Sequence, residues 1–188
     1  MEFAMGVNDD WDTPTKREAF ANAADRPNTW FVKGCQLKAA ADRCDWIGGT
    51  GIGDLHWVYT MLLGMAIESL LKAAIVLHHG SQLKREPNRA VNLERSFLIH
   101  DLDALAKRIE TQDFTLSKDE LELLNRLTSF IEWCGRYPVP RGDNDMMAVG
   151  TSSIERGRIL AFYDRLLNDL RKHKAVLNEL SVKRSPAD

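Results

Sequence analysis

Cysteine is scarce, and its spacing builds nothing. Cys35, Cys44 and Cys134 make an odd count with no Cys-x-x-Cys. This excludes a disulfide framework and a cysteine-rich zinc module, and it fits small buried thiols in a reducing compartment. Period-two alternation is missing along the whole chain, so no strand is expected. Excess charge of one sign is missing too: 25 Lys+Arg face 27 Asp+Glu, for a net charge of −2. A general electrostatic footprint for nucleic acid is therefore not expected, and any such contact would need a local patch. The opening residues are acidic and carry no apolar h-region, so no signal peptide is expected and the setting is read as cytoplasmic. Internal repeats and low-complexity tracts are also missing.

Catalytic and metal signatures are equally sparse. No His-Glu-x-x-His and no Gly-x-Ser-x-Gly occurs. The glycine run Gly48 to Asp54 (GGTGIGD) lacks the Lys-Ser/Thr of a phosphate loop and has no strand before it. It reads as a helix–helix connection in which Asp54 caps the following helix. His78-His79 is a weak metal hint, because neighbouring residues point apart on a helix. No metal ligand set and no cofactor are expected.

What the chain does have is one long apolar stretch, Trp57 to His79, rich in Leu, Met and Ala. Its length would suit a membrane span. Two central charges, Glu68 and Lys72, argue against that at about 2.5–3.5 kcal/mol each on insertion scales, and no Lys/Arg-rich flanks frame it. It reads as the core helix of the fold, with no membrane partner. Thr60, Gly64, Glu68 and Lys72 form a small or polar ridge at four-residue steps, where a neighbouring helix can come close at Gly64. Glu68 and Lys72 stand in the favourable order for a helical ion pair. The pair either satisfies itself at the core margin or lines a polar cleft.

Helices are expected on both sides of this element. The expected layout is an N-terminal arm over 1–27 with a possible short helix, a helical domain over 28–180 and a tail over 181–188. Thr29 to Ile47, capped by Asn28, places Trp30, Gly34, Leu37, Ala41 and Cys44 on one face. Gly80 ends the central helix. A polar loop follows, with a positive patch at Lys84, Arg85 and Arg89 that is either solvated or meets a phosphate. His100 or Asp101 opens a helix to about Glu110, with Leu102, Leu105 and Ile109 inward. Ser117 and Glu120 form a capping box, Leu116 and Leu121 a hydrophobic staple. That helix turns Leu121, Leu124, Leu127, Ile131 and Cys134 inward and stops before Pro138. Ser152 and Glu155 open a last helix to about Leu180, long enough to project or to pair with a second subunit.

Three segments then fall into one order: Gly-Met-Ala-Ile-Glu-Ser-Leu-Leu-Lys-Ala-Ala (64–74), His-Asp-Leu-Asp-Ala-Leu-Ala (100–106) and Glu-Trp-Cys-Gly-Arg-Tyr-Pro (132–138). Together they resemble the HEPN superfamily of small helical domains. The resemblance implies an all-α, four- or five-helix up-and-down bundle, often a homodimer, in toxin–antitoxin, phage-defence or RNA-processing systems. It implies a binding or regulatory domain whose polar cleft, with Glu68, Lys72, Asp101, Arg136 and Tyr137, takes a nucleotide, RNA or a protein partner encoded nearby. Catalytic members are metal-independent endoribonucleases with Arg-x(4–6)-His, a spacing that Arg95 and His100 match. A helical oligomerisation scaffold is a third reading.

Overall fold

In the computed structural model, the residues described are 23–47, 55–80, 97, 99–110, 114–134 and 153–173. They are helical, with no strand among them. Five α-helices follow one another: α1 Pro27–Ile47, α2 His56–His79, α3 Leu102–Lys107, α4 Lys118–Ser129 and α5 Ser153–Lys172. A π-helical turn, Phe130–Cys134, extends α4.

α2 is the core. It is long and apolar enough to cross a membrane, with a mean hydropathy of 1.8 in its most apolar window, yet 78% of that window is buried by the rest of the chain. Leu63, Ile67, Leu70, Leu71 and Ile75 are fully buried. The polar ridge is buried as well, including Thr60, Glu68 and Lys72.

Contacts along α2 set the helix directions. Trp30 of α1 lies beside Lys72, and Gly34 beside Leu70 and Ala66, so α1 runs antiparallel to α2. Tyr59 meets Arg156 and His78 meets His173, so α5 runs parallel to α2. Arg126 pairs with Glu155 and Arg158 with Asp119, which makes α4 antiparallel to α5.

Glycine decides two of these approaches. A Cβ on Gly64 would come within 2.8 Å of Ile131 Cγ1, as the sequence ridge anticipates. A Cβ on Gly34 would lie 2.8 Å from Leu70 Cδ2 and 3.1 Å from the Ala66 carbonyl oxygen. The leucine tip can turn; the backbone carbonyl cannot. Gly34→Val is therefore expected to destabilise by about 1–3 kcal/mol through overpacking. Gly157 of α5 has nothing within 4 Å, and Gly157→Ala is expected to stabilise by about 0.5–1 kcal/mol through backbone entropy. Urea unfolding of the two variants should shift in opposite directions.

Helix ends mostly follow local chemistry. Asp101 caps α3 by accepting the Ala104 N–H at 3.0 Å. The Ser117–Glu120 capping box closes α4 in both directions. Some details differ from expectation. α1 starts at Pro27, whose fixed φ and missing N–H suit a first helical position, so Asn28 lies inside the helix instead of capping it. Leu55 occupies the N-cap of α2 without a side-chain hydrogen bond, and Asp54 lies outside the described residues. α3 ends at Lys107, because Arg108 and Ile109 turn back onto Leu105 and Ala106 with tighter i→i−3 bonds. Ile109 is still buried, as expected. In α4, Leu123 takes the fully inward place, while Leu121 is half-buried. The continuation of α5 to Leu180 lies outside the described residues. Ala24, placed in the N-terminal arm, is buried in the core.

Candidate functional site

The ridge of α2 places Glu68 and Lys72 one turn apart, facing α1. Their ion pair is short, with Lys72 Nζ 2.6 Å from Glu68 Oε1, and Lys72 is 4% exposed. Two aromatic rings complete the cover of the ammonium, Trp30 at 5.4 Å and Phe97 at 5.7 Å from Nζ. The rings meet edge to face, 5.4 Å apart at 76°. Trp30 is fixed in turn, since its indole N–H donates to the Ala24 carbonyl at 2.8 Å. Cation–π attraction is strongest where the cation is desolvated. The charge of Lys72 is thus spent inside the protein, and any action of Lys72 on a ligand passes through Glu68.

The second carboxylate oxygen faces outward. Glu68 Oε2 lies 3.1 Å from His100 Nδ1. An ionised carboxylate only accepts, so this hydrogen bond requires the proton on Nδ1 and leaves Nε2 of the neutral ring with a lone pair. The His100 side chain is 46% exposed. It sits at the entry to α3, not on the helix. Asp101 caps the helix beside it. The Leu102 N–H donates to Thr128 Oγ1 at 3.0 Å, and Thr128 donates onward to the Leu124 carbonyl. Leu102 and Leu105 are fully buried.

The structure therefore brings together Glu68, Lys72 and His100 and places Asp101 next in chain, with one carboxylate oxygen engaged as a helix cap. Arg95, Arg136 and Tyr137, and the basic patch at Lys84, Arg85 and Arg89, lie outside the described residues.

Sequence reasoning missed Trp30 and Phe97 as the cover of Lys72. Trp30 carries the signal of an inward helix face, which says nothing about its partner. Trp30 also walls an open groove of about 500 Å³ along the first turns of α1, with Arg26, Thr29, Lys33 and Gln36 around it. Among the described residues, no carboxylate lines this groove. Arg26 Nε is buried with no hydrogen-bond partner among the described residues.

Comparison with family models, with curated proteins and with solved structures finds no match to this chain. The site is read from its own geometry.

Ionisable side chains also meet α5 at Tyr163 and at His78. Burial pushes the Tyr163 hydroxyl well above its usual range, helped by a hydrogen bond with Cys35, so it stays neutral and packs as core. At the far end of α2, His78 lies against α5, where its imidazole faces His173 and Asp169. Burial, with the nearby His173, lowers the pKa of His78 below the usual histidine value, against an opposing pull from Asp169.

Proposed function

We propose that the protein is an HEPN-like domain that binds RNA or a nucleotide on the face carrying His100. One observation carries this reading: a buried carboxylate, neutralised by a buried lysine, reaches out to hold a surface imidazole by one nitrogen. Burying an ion pair is expensive, at several kcal/mol per ion, and apolar residues of similar volume often serve a core as well or better. Such a pair on the most apolar helix of the chain is understood if it serves His100. The groove beside Trp30 supports the ligand class. Arg26 and Lys33 suit phosphate, and an aromatic wall suits a base. The order of the three segments over 64–138 supports the family.

A second reading is a metal-independent endoribonuclease, and the Nδ1 contact favours it. A carboxylate behind Nδ1 is the arrangement that orients an imidazole as a base. Nε2 would take the proton of the 2′-hydroxyl, and Arg95 would offset charge developing on the phosphate. Homodimer assembly, a protein partner encoded nearby, a cytoplasmic setting and a toxin–antitoxin or phage-defence role belong to the same proposal.

The test uses labelled single-stranded RNA with EDTA present, read both as binding and as cleavage. His100→Ala and Lys33→Ala are expected to weaken binding by at least about 1 kcal/mol each, the scale of one charge-assisted contact, with unchanged helicity. Cleavage by the wild type that disappears in His100→Ala and Arg95→Ala would select the nuclease. Equal binding by wild type and both binding variants, or no binding by any, would reject the proposal.

A further inference from the structure

Ten residues beyond Glu68, about 15 Å along the helix, α2 ends in a second constellation that the His100 site does not use. His78 comes from the last turn of α2, Asp169 from the last turn of α5 and His173 from the residue just after it. Their ligand atoms all lie within 4.8 Å of one another. The two imidazoles stand edge to face, with centroids 5.2 Å apart at 90°. Asp169 and His173 are four residues apart, about one helical turn, with His173 in the turn that directly follows α5. The third donor comes from another helix, held there by the packing of α2 on α5.

We propose that His78, Asp169 and His173 bind one divalent first-row transition ion of the zinc class. Two imidazole nitrogens and a carboxylate oxygen are borderline donors that suit zinc, cobalt or nickel, whereas calcium and magnesium favour oxygen alone. Around an ion held at 2.0–2.2 Å, tetrahedral ligand atoms lie about 3.3 Å apart. Side-chain rotation at these partly exposed positions closes the difference. Lys172 Nζ, 3.9 Å from Asp169 Oδ1 and largely exposed, is the competing cation, and it is free to swing into solvent. Three protein ligands leave a fourth position for water or for a group on a partner. The ion also fastens the end of α5 to the end of α2. His79 is not a ligand: it projects from the helix at a different angle, its ring centroid is 6.3 Å from that of His78, and its buried Nε2 has no hydrogen-bond partner among the described residues.

Tag-free protein, stripped with EDTA and dialysed, is titrated with Co²⁺ by visible absorption and with Zn²⁺ by calorimetry. The expected result is one ion per chain and a higher melting temperature on binding. His173→Ala and Asp169→Asn should each weaken binding by at least about tenfold, and His79→Gln should bind as the wild type does. Circular dichroism in EDTA shows whether each variant is folded. If His173→Ala is not, the isosteric Asp169→Asn decides alone. No ion bound by the wild type, unchanged affinity in Asp169→Asn, or equal loss in His79→Gln would overturn the assignment.

Discussion

Glu68→Ala is expected to destabilise the fold by about 3–5 kcal/mol, the cost of leaving one member of a buried ion pair without its partner. The size follows from where Lys72 sits. Its ammonium is 2.6 Å from Glu68 Oε1, and among the described residues Trp30, Phe97 and the core of α2 surround it. Remove the carboxylate and, among the described residues, the faces of two rings are what remains beside the charge. Natural domains are stable by about 5–15 kcal/mol, so this one change removes a large fraction of the total. Glu68→Leu combined with Lys72→Met is expected to return to wild-type stability or above it, because the double variant buries no charge. On the proposed function the same double variant should also lose RNA binding, since His100 loses its contact with Glu68. Urea unfolding of the single and double variants measures the first part. A single variant within about 1 kcal/mol of wild type, the range of a surface pair, would mean that Lys72 is not held as a buried ion.

Phe97→Ala is expected to cost about 3–5 kcal/mol, the range for emptying a buried aromatic site. Phe97 is fully buried. It packs edge-on against Trp30 and forms part of the cover over Lys72. The substitution removes apolar burial and opens a way for water to the ion pair. Phe97→Leu separates the two contributions. It refills most of the volume without a π face, so it should retain most of the stability. Thermal unfolding of both variants decides. If Phe97→Ala costs no more than Phe97→Leu, the ring is not a filled core position.

The elements legible in the sequence are those that local chemistry determines. Ser117 and Glu120 are three residues apart, and their reciprocal bonds follow from that spacing alone. The cap at Asp101 is equally local. The ridge at Thr60, Gly64, Glu68 and Lys72 predicts a close helix approach, and Ile131 makes it. Long-range partners leave no such trace. The His100–Glu68 contact joins residues 32 apart, and the spacing of Arg95 and His100 points to chemistry without pointing to Glu68. Trp30 and Phe97 meet over Lys72 because α1 folds back along α2, and no residue pattern announces that choice. The His78-His79 pair looks weak when each is measured against its chain neighbour. It gains weight only when α5 brings Asp169 and His173 to the same end of the bundle.

The most direct measurement of the central claim is the nitrogen-15 spectrum of the His100 ring, recorded with the ring neutral, in wild type and in Glu68→Gln. If Glu68 holds the imidazole for a ligand, wild type shows the Nδ1–H tautomer with an unprotonated Nε2, and Glu68→Gln loses that preference. An Nε2–H ring in the wild type, or the same tautomer mixture in both proteins, would contradict the account: His100 would then be a surface histidine that Glu68 does not orient.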